Sequence, residues 1–559
     1  MYNLRMQQIR EALAKALKNV YVSVADHDIH LEHTDDLSHG DYATNAALSY
    51  AKQLKMNPKE LAEKLAAEVR EIEGVANVEV AGPGFINFTL APDCLAQALE
   101  EGRANPDEWG GSPLYRGKKI LLEYTDPNPF KEFHIGHLVP NALGESISRL
   151  LHFSGAEVKR ANYQGDVGIH VAKSLFIQLE KGIDDPTIED LATAYPEGSK
   201  RYEEDPLAKQ EIDELNKKIY DKSDKQVNAL YKKGRELSLE HFEELYKILG
   251  TKFDFYFFES ETGPKGVEVV RAHPEIFPES DGAVIFKGEE YGLHTRVFLN
   301  KLGLPTYEAK EIGLAQMKEE AYPFDLTITI TGNEQAEYFK VVMKAMELAL
   351  PELRGKLSFK TNGMLRFAEG KMSSRTGNII TGESLINDVT EVAKEHAAES
   401  RADDKEKLAQ EVAVAAIKFQ ILKGGMGKDI IFDRERALSV EGDSGPYLQY
   451  THARCHAITE KASEADVKGK FDTSQPASDL ARLVYRFPEI VLHAQEELEP
   501  HIVANYLITV ASAFNSWYAQ EQILDGSTSS PHKVALTDIV RLTLKNGLWL
   551  LGIPTPEKV

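Results

Sequence analysis

Lys119-Ile120-Leu121-Leu122-Glu123-Tyr124-Thr125-Asp126-Pro127-Asn128-Pro129-Phe130-Lys131-Glu132-Phe133-His134-Ile135-Gly136-His137 is the stretch that opens the rest of the chain to reading. Its apolar run Ile120-Leu121-Leu122 predicts a strand over 119–125. A loop follows, then a helix from about 138 to 153, closed by Gly155, with Pro140 tolerated in its first turn. A second strand is expected at 157–163, which completes a βαβ unit. The order returns as a strand at 325–331, a helix at 334–350 stopped by Pro351, and a strand at 356–367. Two such halves predict a Rossmann-type, doubly wound parallel sheet at the centre of a multidomain α/β chain.

The turn His134-Ile135-Gly136-His137 falls between strand and helix. Seventeen histidines in 559 residues make a chance H-x-G-H a rare event, about 0.04 expected. A helix N-terminus offers unpaired N–H groups and partial positive charge to a phosphate. Gly136 lets a nucleotide approach the backbone, and His134 and His137 can donate hydrogen bonds as charge develops. The bland reading is two surface histidines at a helix start. A second basic segment, Lys371-Met372-Ser373-Ser374-Arg375, lies between Gly370 and Gly377 after the last strand of the second half. Lys371 and Arg375 can clamp a polyphosphate, and the hydroxyls of Ser373 and Ser374 can bond to it.

Around this centre, the first hundred residues mix helix and strand. Leu4, Ile9, Leu13 and Leu17 make one helix face, so the basic N-terminus reads as folded structure rather than a transit peptide. Residues 58–70 are expected to be helical, and 75–90 strand-like around the turn Gly82-Pro83-Gly84. A charged, partly helical insertion is expected at about 184–320, and nearly all-helical structure from 383 onward. The resulting division is 1–110, 111–382, a helical connection at 383–435, and 436–559.

Composition excludes several classes. No run approaches the ~18–20 apolar residues of a membrane span. Cys94 and Cys455, the two cysteines, give neither a disulfide framework nor a cysteine-rich zinc site, and fit a reducing cytoplasm. With 65 basic and 88 acidic side chains the net charge is −23, which taken alone argues against a nucleic-acid binder. A local basic path on an otherwise acidic protein would escape that arithmetic, so the motifs outrank it.

The two basic motifs together resemble the signatures of class I aminoacyl-tRNA synthetases. The stretch 123–133 is similar to the E-Y-S-S-P-N-P-N-K-P-L segment of arginyl-tRNA synthetases. Gly40-Asp41-Tyr42-Ala43-Thr44-Asn45 resembles that family's extra N-terminal domain. Pro446-Tyr447-Leu448-Gln449-Tyr450-Thr451-His452-Ala453-Arg454 resembles the opening of its helical anticodon-binding domain, and Leu551-Gly552-Ile553-Pro554-Thr555-Pro556-Glu557-Lys558 its C-terminus. The resemblance spans nearly the whole chain. It implies that arginine and ATP form arginyl-adenylate, which is passed to the terminal ribose of tRNA(Arg). It implies Mg2+ carried by ATP with no protein metal site, and a monomeric cytoplasmic enzyme.

The resemblance also implies roles. His134 and His137 become ATP-phosphate donors. The family's second motif carries lysine where Ser374 stands, and Lys131, just before the histidine turn, becomes the compensating cation; Lys371 either joins it or anchors its loop. Glu123 and Glu311 become guanidinium ligands, Asn128 a ligand of the amino-acid backbone, and Tyr307 and Gln335 pocket residues. The family has aspartate at Glu311, whose extra methylene would displace the carboxylate by about 1.5 Å. Tyr447, Tyr450 and Arg454 fall on one helix side for tRNA contact, where ordinary helix packing is the competing reading.

Three alternatives stay open. Another nucleotidyltransferase would share the histidine turn but lack the large helical C-terminus. A cysteine-specific synthetase would want zinc ligands. A catalytically impaired paralogue acting as an RNA-binding protein would account for Ser374 and Glu311.

Overall fold

The structure, a computed structural model, describes residues 4–19, 25–367, 381–474 and 476–559. At its centre lie five parallel strands: β1 (Lys119–Glu123), β2 (Glu157–Gln164), β3 (Phe255–Phe258), β4 (Leu326–Gly332) and β5 (Leu357–Asn362). They are ordered β5-β4-β1-β2-β3, with Leu121 opposite both Thr327 and Lys159. The order reverses direction between β1 and β4. In open α/β sheets, ligands bind at the carboxyl ends of the strands at such a switch point.

Pleating explains the double winding. Ile120 and Leu122 face one core with Leu138, Ala142 and Ile147 of the helix Ile135–Phe153. Leu121 faces the other with Val341, Val342 and Ala345 of the helix Ala336–Ala349 and Ile312 of the helix Tyr307–Ala321. Successive side chains of a strand point to opposite faces, so one apolar run serves both layers.

The N-terminal unit starts with the helix Leu4–Asn19, whose Ile9, Leu13 and Leu17 are fully buried. An antiparallel sheet follows in the order Leu31–His33, Tyr42–Thr44, Phe85–Leu90, Val75–Ala81. The C-terminal region holds the helices Gly445–Glu464, Asp479–Tyr485, Phe487–Glu497, Pro500–Gln520 and Ser530–Leu550. These two units are fastened together: the Tyr42 hydroxyl donates to Glu489 at 2.8 Å, and Arg482 Nε to Asp41 Oδ1 at 2.8 Å.

Five sequence expectations are corrected. The strand expected at 356–367 is broken: Leu357–Asn362 stays in the sheet, whereas Leu365–Phe367 pairs with Ile430–Phe432. The break falls at Gly363, where a Cβ would lie 2.2 Å from the carbonyl oxygen of Lys428. The partner Ile430–Phe432 is itself a strand within the stretch read as nearly all helix. Residues 255–258, read as insertion, supply the edge strand β3, because Phe255–Phe258 pairs with Ala161–Gln164. Lastly, the helix after the histidine turn begins at Ile135, three residues before its expected start, and β1 stops at Glu123 because Thr125 and Asp126 adopt φ of 80° and 48°.

Candidate active site

The helix Ile135–Phe153 presents its N-terminus to a cleft of about 450 Å³ at the carboxyl ends of β1 and β4. Thr125, Asp126, His134, Gly136, Thr331 and Gly363 are among its walls. His134 is exposed and His137 buried, and their rings stack with centroids 3.7 Å apart. The His134 backbone N–H donates to Nδ1 of His137 at 3.2 Å. An accepting Nδ1 sets the neutral tautomer that carries its proton on Nε2. Partial desolvation against the turn, and next the charge of Lys131, lowers the His134 pKa; burial, His134 and Lys131 push His137 well below the usual imidazole value. Both rings are therefore neutral donors near pH 7. A Cβ at Gly136 would come within 2.8 Å of the His134 ring, so only glycine lets that ring lie over the turn.

Lys131 is half-buried, with Nζ 4.9 Å from the centre of the Tyr195 ring. Its charge is felt by both histidines. Lys371, Ser373, Ser374 and Arg375 lie outside the described residues. The ends of their segment are informative: Leu365, before it, lines the cleft, and Thr381, after it, bridges to His134. The Gly382 N–H also donates to the Phe133 carbonyl at 2.6 Å.

Next to the cleft is a cluster of carboxyl groups. Glu123, at the end of β1, is 2% exposed and ion-paired with Lys318, itself 4% exposed. Asp126 Oδ1 accepts from the Tyr163 N–H at 2.7 Å. Burial, then Glu123, raises the Asp126 pKa well above the carboxylate range, and the same two causes push Glu311 up to about 8. Glu259 is taken by Lys310 at 2.6 Å. The hydroxyl of Tyr338, within electrostatic reach of Glu311, is buried without a hydrogen-bond partner among the described residues. The helix Tyr307–Ala321 reaches this position by close backbone packing on the helix Glu259–Ala272: a Cβ at Gly313 would meet the Thr262 carbonyl at 2.1 Å.

The structure thus brings Glu123 and Glu311 together and adds Asp126, Lys318 and Tyr338, which the sequence reading did not single out. Asp126 carried a signal, since it replaces the second serine of the resembling E-Y-S-S-P-N segment. Lys318 carried a weaker one, its spacing of seven from Glu311. Asn128 is near the cluster's loop, where its Oδ1 accepts from the Gly165 N–H at 3.1 Å. Tyr307 is 70% exposed at the start of its helix, with Lys310 Nζ 5.1 Å from its ring. Gln335 is exposed at the end of the turn Asn333–Gln335. On the C-terminal helix Gly445–Glu464, Arg454 lies between two aromatic rings, 4.7 Å from Tyr450 and 5.2 Å from Tyr518. Tyr447 accepts from Asn515 at 3.0 Å and faces the neighbouring helix, while Tyr450 remains 39% exposed.

Comparison with known proteins follows this architecture. The family model described as tRNA synthetases class I (R), catalytic domain, matches residues 107–434. The Arginyl tRNA synthetase N terminal domain matches 7–90, and the DALR anticodon binding domain 448–559. A curated arginine–tRNA ligase of Clostridium perfringens is 31% identical over 540 residues, covering 93% of this chain and 94% of its own.

This chain belongs to the arginyl-tRNA synthetase family.

Membership makes it a class I arginine–tRNA ligase that uses ATP. The Clostridium acetobutylicum arginine–tRNA ligase is 32% identical over 534 residues, with the same 93% and 94% coverage. The solved arginyl-tRNA synthetase of Thermus thermophilus matches with a TM-score of 0.81 at 28% identity, over 98% of this chain and 99% of that one. At 20% identity the Plasmodium falciparum structure shares the fold, with a TM-score of 0.79 and coverage of 99% of each chain. The non-catalytic alternative finds no support in these likenesses. Among the described residues no helix is long and apolar enough to cross a membrane.

Proposed function

We propose that this synthetase activates arginine as arginyl-adenylate and esterifies tRNA(Arg) with it. The observation that carries the reading is the adjacency of two unlike sites at one switch point: neutral imidazoles at a helix N-terminus, and carboxyl groups clustered beside them. ATP, carrying its Mg2+, lies with its phosphates over Gly136. His134 and His137 donate to phosphate oxygens as negative charge builds on them. Lys131 supplies the cation that Ser374 cannot, and Lys371, Ser373 and Arg375 bind the polyphosphate with it.

Arginine enters with its guanidinium toward the carboxyl cluster of Glu123 and Glu311, its backbone held by Asn128, with Tyr307 and Gln335 at the pocket mouth. Its α-carboxylate oxygen attacks the α-phosphorus, and the bond to pyrophosphate breaks as the new P–O bond forms. A ribose hydroxyl of the terminal nucleotide then attacks the adenylate carbonyl, and AMP leaves. Positioning and charge stabilisation suffice, with no covalent enzyme intermediate. Residues 111–382 house this chemistry. The unit 1–110 and the helical region 436–559, with Tyr447, Tyr450 and Arg454, hold the tRNA, and 383–435 connects the parts. The enzyme works as a cytoplasmic monomer.

The test is aminoacylation. With ATP, arginine and a tRNA(Arg) transcript, acid-precipitable arginyl-tRNA should accumulate and other tRNAs should stay uncharged. An inactive enzyme that still binds tRNA(Arg) tightly would instead reinstate the RNA-binding reading.

A further inference from the structure

Phe130, in the loop between β1 and the histidine turn, is fully buried away from the sheet. It belongs to the apolar core formed by the helix Ile169–Glu180 and the helices of the insertion, with Val171, Leu175, Leu191 and Leu230. Among the described residues it is the one buried member of that core from before β2. Its seat is one face of the helix Lys225–Leu249, where Tyr231, Gly234 and Ser238 follow at spacings of three and four. The Tyr231 ring stacks on Phe130 with centroids 6.0 Å apart, and the Phe130 N–H donates to the Ser238 hydroxyl at 3.0 Å. A Cβ at Gly234 would come within 2.3 Å of the Phe130 ring. Glycine inside a helix is costly, so its presence here marks room made for that ring. The backbone needs this seat. Phe130 has φ of 66°, a region that a bulky residue adopts only when its surroundings impose it. The similar segment of arginyl-tRNA synthetases carries asparagine at this position, and asparagine tolerates such a backbone unaided.

We propose that Phe130 and Tyr195 are positioning residues for Lys131, so that the helical insertion, and not the histidine turn alone, fixes where this cation meets the ATP phosphates. The inference rests on the reading of Lys131 as that cation. Phe130 locks the main chain one residue before Lys131. At the other end of the side chain, Lys131 Nζ lies 4.9 Å from the centre of the Tyr195 ring, on the insertion helix Ile188–Glu204. A lysine stem is flexible and its ammonium is a point charge, so its aim must come from its surroundings. Here both ends of the stem are held before the phosphates bind, which removes that ordering from the barrier. A ring also attracts an ammonium without neutralising it, as a carboxylate would. The charge therefore still acts on His134 and His137, whose pKa values it lowers.

Double-mutant cycles in arginine-dependent pyrophosphate–ATP exchange test the assignment. Phe130→Asn suits the local backbone but gives up the anchor. It should lower kcat about 10–100-fold, with the KM for arginine little changed. Tyr195→Leu, a change at a half-buried position, should lower kcat about two- to fivefold. In the Lys131→Ala background neither substitution should cost further rate, because each acts through that lysine. A role in holding the fold alone would lower the rate by the same factor in both backgrounds. The proposal is overturned by such additive losses, or by either single variant at wild-type kcat. Should Phe130→Asn fail to fold, Tyr195→Leu and its cycle decide alone. Failure of the underlying reading looks different, because Lys131→Ala would then itself run at near wild-type speed.

Discussion

The nucleotide side and the amino-acid side of this site are built by opposite means. His134, Gly136 and His137 come from one turn, and their properties are set within it: a backbone hydrogen bond fixes one ring, and the ring of another forbids a Cβ on the glycine. The carboxyl cluster is gathered from β1, its following loop, and the helices Glu259–Ala272 and Tyr307–Ala321. Its electrostatics belong to no single segment. Neutral donors await an anion on one side, and carboxyls that still hold protons await a cation on the other. The two halves should therefore fail differently when mutated.

The largest effect is expected on the nucleotide side. Lys131→Ala should slow adenylate formation about 10²–10³-fold, roughly 3–4 kcal/mol, since it removes a cation needed chiefly in the transition state. Single-turnover exchange should show the loss in kcat, with the KM for arginine steady. Ser374→Lys in that background should restore part of the rate. If Lys131→Ala runs at near wild-type speed, Lys371 or Arg375 becomes the leading cation. On the amino-acid side, Glu311→Gln should act the other way round. It should raise the KM for arginine about 10–100-fold with kcat nearly unchanged, and a loss confined to kcat would erase the contrast.

A thermal measurement sharpens the same comparison. The folded, substrate-free protein keeps the Glu311 proton up to about pH 8, while an unfolded glutamate releases it near 4.3. Between those values the folded state binds more protons than the unfolded state. Stability from this group must therefore fall as pH rises through the window, by at most about 1.4 kcal/mol per pH unit. The check is the difference in unfolding free energy between wild type and Glu311→Gln from pH 5 to 8. It should slope downward without arginine and flatten with saturating arginine. A flat line without arginine would mean the carboxyl is ionised throughout.

How much of this was legible follows the same division. Most of the sheet was readable because local signals mark it, such as the apolar run Ile120-Leu121-Leu122 of β1 and the helix stop at Pro351. The histidine turn was readable because its chemistry is local. The break at Gly363 was not, because its cause is the Lys428 carbonyl, 65 residues away in sequence and pressed against it in space. The edge strand Phe255–Phe258 was hidden inside a charged helical stretch, since four residues are too few for a period to show. The ion pair of Lys318 was barely legible for a third reason. A lysine near the end of a charged helix reads as solvated surface until the fold places Glu123 against it.

The smallest expected effect lies in the C-terminal helices. Tyr450→Ala removes an exposed ring beside Arg454 and should weaken tRNA(Arg) binding by about 1 kcal/mol if a base stacks there, leaving arginine activation measured with a saturating transcript unchanged. Filter binding that shows full affinity in Tyr450→Ala would return this stripe to ordinary helix packing.

Amino-acid choice is the most direct test of the central claim, that a neutral-donor phosphate site beside a carboxyl cluster activates arginine. Pyrophosphate–ATP exchange should be measured with each standard amino acid, with and without tRNA(Arg). The account predicts exchange with arginine, and lysine worse by well over about tenfold, because a point charge cannot fill a site built for a planar fork. Lysine activated within about tenfold of arginine, or exchange that ignores which amino acid is supplied, would contradict it.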